Sequence, residues 1–224
     1  MESRRFPNPY HETPYLVIPG FLDASVCRRI ARKTYESSQA QKAMLKTTIL
    51  SGGVVDPQVD ESIRKTHIYT LDEEDTAAYQ AAFSEKQPVI EAYFSAALTT
   101  ATDIQVLEYE EGFFYKRHAD DSNEIVDQTT GETAGFNLIA PQRKITTVLF
   151  ASSHAQHPEA PHSFSGGELL FNYLKDRDGN PVTLLPQAGD MVVFLSNPVF
   201  SHEVRPVRGG YRLSLVQWHN ALMH

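Results

Sequence analysis

The pattern of apolar and polar positions changes character near residue 104. Upstream of it, Tyr15-Leu16-Val17-Ile18 reads as a short strand, Pro19-Gly20 as a turn and Asp23 as the N-cap of a helix running to about residue 36. Cys27, Ile30 and Ala31 share one face of that helix at i+3 and i+4 spacing. Ala-rich, aromatic-punctuated stretches predict two further helices over residues 72–83 and 88–101, and the Pro-, Asn- and His-rich residues before Tyr15 read as an irregular arm. From Ile104 onward, short β-branched and aromatic runs alternate with Gly, Pro, Asn and Asp, the pattern of an all-β sandwich or barrel. The prediction is a mainly β protein with supporting helices, one domain over residues 1–224. Its arm, first strands and helices occupy 1–103 and its β core 104–220.

Two longer stretches interrupt the β pattern. Residues 121–142 are polar except for Phe136-Asn137-Leu138-Ile139, and residues 152–165 carry His154, His157 and His162. Loops of this length in a compact domain are often lids or binding loops, so the first is read either as a lid over substrate or as a mobile surface insertion. No cysteine and no regular ligand spacing supports a second metal site among the three loop histidines. Gly112, Gly189 and Gly210 fall in turns, and Gly166-Gly167 reads as a tight turn or a close backbone approach.

Composition narrows the function classes. Hydrophobic residues at 41% and charged residues at 21% describe a chain that folds, and 224 residues are enough for a sizeable core. The formal charge of -8 argues against a broad grip on phosphate backbones, so no nucleic-acid partner is expected. No apolar run approaches the ~20 residues that span a bilayer, and the first residues lack the apolar middle of a secretion signal. No membrane partner and a cytoplasmic location are therefore expected. Cys27 is the only cysteine, which excludes an intramolecular disulfide and reads as a small core residue.

The chemistry sits in the β half. In Arg117-His118-Ala119-Asp120, the alternation of a strand projects His118 and Asp120 to one side. His202 follows the apolar strand Met191-Val192-Val193-Phe194-Leu195, and two imidazoles with one carboxylate form the facial triad that holds Fe(II) with positions left open. On the last strand Arg212 and Ser214 repeat the i, i+2 spacing, which aims a guanidinium and a hydroxyl the same way, a receptor for a carboxylate.

Several segments then resemble, in order, the prolyl-4-hydroxylase branch of the Fe(II)- and 2-oxoglutarate-dependent dioxygenases. They are Leu107-Glu108-Tyr109-Glu110-Glu111-Gly112 leading through Tyr115 to His118-Ala119-Asp120; Arg143-Lys144-Ile145-Thr146-Thr147-Val148-Leu149-Phe150; Gly166-Gly167-Glu168-Leu169-Leu170-Phe171; Ala188-Gly189-Asp190-Met191-Val192-Val193-Phe194; and His202-Glu203-Val204-Arg205-Pro206-Val207 through Arg212 to Trp218. Weaker matches are Val17-Ile18-Pro19-Gly20-Phe21-Leu22-Asp23 and Glu61-Ser62-Ile63-Arg64-Lys65-Thr66.

The resemblance implies a double-stranded β-helix, or jelly roll, in which His118, Asp120 and His202 hold Fe(II). It further implies that Arg212, Ser214 and Tyr109 hold 2-oxoglutarate, that dioxygen is the other cosubstrate, and that ascorbate serves as reductant. The family couples oxidative decarboxylation of 2-oxoglutarate to hydroxylation of an unactivated C–H bond. Related halogenases replace the carboxylate ligand with a small residue, so Asp120 favours hydroxylation. Where several relatives place a tyrosine against the far carboxylate this chain has Phe150, which shifts weight to Arg212, Ser214 and Thr146, while Trp218 shares the strand face of Arg212.

The substrate expected first is a small molecule, such as a free amino acid or a natural-product intermediate, because the chain lacks a separate peptide-binding module. A peptidyl or protein hydroxylase, prolyl among others, is the alternative. A non-enzymatic cupin-like metal sensor and a zinc hydrolase are the competing classes.

Overall fold

The computed structural model describes residues 14–49, 62–127 and 129–223, so the arm predicted before Tyr15 lies almost wholly outside the described residues. In chain order the first elements are β1 (Leu16–Ile18), α1 (Ala24–Ile49), β2 (Arg64–Lys65), β3 (His67–Tyr69), α2 (Glu73–Phe94), β4 (Ala96–Ala101), β5 (Gln105–Tyr109) and β6 (Phe114–His118). There follow β7 (Ser122–Val126), β8 (Thr133–Leu138), β9 (Ile145–Phe150), β10 (Ser153–His154), β11 (Ser163–Gly166), β12 (Leu169–Lys175) and β13 (Pro181–Leu184). The last are β14 (Met191–Leu195), a 3₁₀ turn (Pro198–Phe200), β15 (His202–Val204), β16 (Val207–Gly210) and β17 (Arg212–Met223).

The expected mainly β architecture with supporting helices is present as a jelly roll. A major sheet runs β1-β14-β9-β17-β5-β3, with β4 also on β17, and a minor sheet runs β13-β12-β15-β6-β2. The neighbouring strands of both sheets pair antiparallel, and every residue of β9 is buried, because this central strand is covered on both faces. On one side Ile145 and Leu149 join Leu213, Leu215, Met191 and Val193 in a core with Cys27, Ile30 and Ala31 of α1 and Tyr79, Ile90 and Phe94 of α2. On the other, Val148 and Phe150 pack with Leu107, Tyr109, Phe171 and Phe194 between the two sheets. Period-two alternation thus sends one half of each central strand to the helices and the other half inward.

The helical reading needs correction in three places. Asp23 does cap α1, its carboxylate accepting from Ser25 N at 2.7 Å, but the helix continues to Ile49, well past residue 36. One helix, α2, replaces the first expected helix and half of the second: it passes through Pro88, a residue that costs a helix interior roughly 3 kcal/mol. Buried Tyr79 on one side of the proline and Ile90 and Phe94 on the other hold the helix against the sheet and offset that cost. It ends at Ser95 in the left-handed region (φ 49°), and residues 96–101 become β4 instead of helix. The twelve-residue β17 outruns β5 and offers β4 an edge from Ala96 to Ala101, and this pairing overrides the helical composition.

The two expected loops are also structured. Residues 121–142 contain the β7–β8 hairpin, paired from Ser122↔Leu138 to Val126↔Thr133. Residues 152–165 contain β10 and β11, a short parallel pair extended by β16. Gly112, Gly189 and Gly210 take φ of +78°, +98° and +77°, as turn glycines do. Among the described residues no helix is long and apolar enough to cross a membrane.

Candidate metal centre

The pocket opens between the two sheets. It is a cavity of about 260 Å³ with residues from β5, β9 and β17 on one wall and from β6 and β15 on the other. His202 opens β15 and stands opposite His118, the last residue of β6; Asp120 lies just beyond the strand rather than on it. The backbone N–H groups of Asp120 and Asp121 both donate to Ser196 O at 3.1 Å, which fixes the turn that brings Asp120 back between the histidines. One ligand atom from each of His118, Asp120 and His202 lies within 4.8 Å of the others, close enough to share one metal ion.

The histidines are oriented for that task. Nδ1 of His118 lies 2.9 Å from Lys116 O and Nδ1 of His202 lies 3.0 Å from Phe200 O. A carbonyl oxygen only accepts, so each Nδ1 donates and each Nε2 is left with its lone pair toward the centre. Burial, reinforced by the neighbouring His202, pushes His118 down to about 3, which keeps it neutral as a ligand must be. The His202 ring is braced edge-on by Phe194 and Phe171, with centroids at 4.9 and 6.1 Å.

The cationic receptor is equally well defined. Arg212 is 1% exposed and lines the cavity, and among the described residues no carboxylate forms a salt bridge with it, Glu168 acting on it only at longer range. It donates from Nε to Gly167 O at 2.8 Å and from Nη1 to Ser214 Oγ at 3.0 Å. The rings of Tyr109, Phe150 and Phe164 surround it with centroids 4.8, 5.2 and 5.8 Å from Cζ. Burial pushes this guanidinium down to about 10, still cationic at neutral pH, and a buried cation calls for an anion. Gly167 is where the chain needs glycine: φ is +61°, and a Cβ there would stand 2.9 Å from Arg212 Cδ. The close backbone approach predicted for Gly166-Gly167 is thus the support of the arginine. Tyr109 sits directly across from Arg212 in the sheet, and its buried hydroxyl has no hydrogen-bond partner among the described residues.

These groups suit the donor needs of a metal-bound 2-oxo acid: a facial N, N, O set, and beyond it a buried guanidinium, a hydroxyl and an orphaned phenol. Phe150 occupies the position expected, its ring packed on Arg212. The expectation for Thr146 is overturned, because its hydroxyl donates to Asp120 Oδ2 at 2.7 Å and so serves the metal side. Trp218 lines the cavity on the face of Arg212, as parity predicts.

Three wall residues escaped the sequence reading. Tyr115 stacks on His118 with centroids 3.5 Å apart, although three residues of a regular strand would put the two on opposite faces. A bulge reconciles them: His202↔His118 and Val204↔Tyr115 set three steps of β6 against two of β15. Arg143 lies over the Trp218 ring at 3.9 Å and donates to Asp120 O at 3.0 Å, and Arg64 lies over the Tyr115 ring at 4.7 Å. The signal for Arg143 was its place just before the Thr146 strand; nothing local marks Arg64 or the bulge.

A β jelly roll carrying an N, N, O donor set able to hold a metal ion, beside a buried arginine, is the arrangement of a class of oxygen-using iron enzymes. Residues 104–220 match the model of the 2OG-Fe(II) oxygenase superfamily, and the chain belongs to that family. It is an Fe(II)- and 2-oxoglutarate-dependent dioxygenase. No curated protein matches the chain significantly. Similar solved structures include a Pseudomonas putida prolyl-4-hydroxylase, at 24% identity and TM-score 0.63 with 94% of each chain covered. Another is a prolyl hydroxylase from Trichoplax adhaerens in complex with a hypoxia inducible factor oxygen degradation domain peptide fragment, at 18% identity and TM-score 0.61, covering 95% of this chain and 86% of that one. The viral collagen prolyl hydroxylase of Paramecium Bursaria Chlorella virus-1 aligns at 17% identity and TM-score 0.57, over 94% and 98% of the two chains. At these identities the likeness is one of fold.

Proposed function

We propose that this enzyme hydroxylates a residue within an extended peptide, prolyl being the side chain that fits best, with His118, Asp120 and His202 as the iron ligands and Arg212, Ser214 and Tyr109 as the 2-oxoglutarate receptor. When bound, the iron would activate dioxygen, the oxidant, with 2-oxoglutarate giving two electrons through its oxidative decarboxylation and the substrate C–H bond the other two, and the protein's share is to orient them and exclude water. Arg212 and Ser214 take the far carboxylate of the cosubstrate, and the Tyr109 hydroxyl gains the acceptor it otherwise lacks.

The observation that carries the peptide reading is the contrast between the cavity's floor and its rim. Its volume, about 260 Å³, leaves room beside a five-carbon diacid for little more than one flat ring, bounded by Tyr115, Trp218 and Arg143. At the mouth stand Ile68 and Ile139, 47% and 52% exposed, and beside Ile139 lies Leu138 at 56%. Apolar rim residues left in water suit a chain lying across the mouth better than a molecule swallowed whole. The likeness in fold to prolyl hydroxylases, one bound to a peptide fragment, supports the same reading. In this reading the β7–β8 hairpin, which contributes Asn123 to the cavity and leads directly into Ile139, acts as a lid over the bound peptide.

A small-molecule substrate such as a free amino acid keeps one specific support. Arg64 and Arg143 line the cavity with no carboxylate partner among the described residues, and the buried Nε of each has no hydrogen-bond partner. Either could take a substrate carboxylate in place of a peptide carbonyl.

The deciding experiment incubates the enzyme with Fe(II), 2-oxoglutarate and air against proline-containing peptides and free amino acids, with mass spectrometry scoring gain of one oxygen. Hydroxylated peptide with free proline untouched is the expected result. Hydroxylation confined to free amino acids would reverse the assignment.

A further inference from the structure

The carboxylate of Asp120 is not held by the metal site alone. Thr146 Oγ1 donates to Asp120 Oδ2 at 2.7 Å and lies 2.9 Å from Ser196 Oγ, and all three residues are buried. Ser196 also accepts the backbone N–H of Asp120 and of Asp121 through its carbonyl, and its own N–H donates to Lys144 O at 3.0 Å. A metal-ligating carboxylate has only acceptors, and a threonine hydroxyl has one hydrogen. Thr146 therefore spends that hydrogen on Asp120, and the hydrogen between Thr146 and Ser196 belongs to Ser196. The direction of the relay follows: Ser196 to Thr146 to Asp120.

We infer that Thr146, backed by Ser196, is a positioning residue for the metal: it ties down Oδ2 and presents Oδ1 as the single ligating oxygen. Among the described residues Oδ1 accepts no hydrogen bond and stands 3.9 Å from His118 Nε2, while Oδ2 stands at the same 3.9 Å from His202 Nε2 but is engaged by the Thr146 hydroxyl. A carboxylate that swung to chelate through both oxygens would take one of the positions the 2-oxo acid and dioxygen require. Thr146 blocks that swing from the opposite sheet, because it sits on β9 while Asp120 follows β6. Partners of a ligand in the outer shell typically contribute about 10- to 100-fold to metal affinity. The inference rests on the His118–Asp120–His202 reading.

The test measures Co(II) affinity and the Co(II) ligand-field bands for the whole protein and four variants. Thr146→Val keeps the shape and loses the donor, and should weaken Co(II) roughly 10-fold or more and shift the bands. Thr146→Ser, which restores a hydroxyl, should return both, and Ser196→Ala should give a smaller loss in the same direction. His118→Ala should abolish specific binding. If His118→Ala binds as well as wild type, the triad reading itself fails. If His118→Ala loses the metal while Thr146→Val, folded by circular dichroism, keeps wild-type affinity and bands, the triad stands and the positioning role of Thr146 is overturned.

Discussion

Thr146 and Thr147 are neighbours on one central strand, equally buried, yet they belong to different parts of the molecule. Thr146 faces the gap between the sheets and bonds the Asp120 carboxylate, a proposed metal ligand, whereas Thr147 faces the helices and bonds His219 Nε2 at 3.2 Å and lies 3.3 Å from the Tyr79 hydroxyl. The same division separates the histidines. His118 and His202 present a free Nε2 to the cavity, while His219 is stacked on Phe83 at 4.6 Å, its Nε2 engaged by the sheet. Residue type and burial do not distinguish a ligand from a packing group; the face of the strand and the fate of the second ring nitrogen do.

The sharpest way to break this comparison is to delete an imidazole on each face. His118→Ala should lower substrate-free succinate release by about 10³-fold or more, since a facial triad short of one ligand no longer holds the metal. His219→Ala should keep that turnover per folded molecule and lose stability on the order of 2–3 kcal/mol in urea denaturation, from the cavity and the lost hydrogen bond to Thr147. A loss of turnover in folded His219→Ala would erase the distinction.

Next in size is the cosubstrate receptor. Arg212→Gln should raise KM for 2-oxoglutarate roughly 100-fold, the cost of losing one member of a buried charge pair, with a smaller effect on peptide KM. Succinate release titrated with 2-oxoglutarate checks it.

Acid acts on the helix-facing histidine. Burial pushes His219 down to about 4 from the ordinary 6.5. Between those values the unfolded chain binds a proton that the folded chain refuses, so this contribution is complete above about pH 6.5 and declines as pH falls toward 4. At about 1.4 kcal/mol per unit it amounts to about 3 kcal/mol across the window. Urea denaturation from pH 4.5 to 7.5 should show that slope in wild type and a shallower one in His219→Gln.

The smallest effect concerns the rim. Arg117 bonds Glu124 and Thr133 and so pins the β7–β8 hairpin to β6, one residue before His118. Arg117→Ala should raise peptide KM a few-fold, about 1 kcal/mol as for an exposed ion pair, and leave succinate release without peptide unchanged. Equal losses in both assays would make the hairpin a structural brace and not a lid.

Much of this was legible along the chain. The i, i+2 pair Arg212/Ser214 was visible because strand alternation sets which side each member faces, His118 and Asp120 were legible as donors although Asp120 reaches the site through a turn held by Ser196, and Cys27, Ile30 and Ala31 marked a helix face that does enter the core. The helix through Pro88 and the strand at residues 96–101 were not, since packing of Tyr79 and Phe94 and the free edge of β17 outweighed local propensity. Nor was Tyr115 beside His118, because a bulge is defined by the partner strand.

By itself, then, the sequence determined the donor types, their order and the strand alternation that pairs Arg212 with Ser214, all properties carried within a few residues. Only the tertiary structure decided that β15 would meet β6, that Thr146 would serve Asp120 and Thr147 the helices, and that Gly167 would make room for Arg212. Those contacts join residues tens of positions apart, and their identity depends on which strands become neighbours.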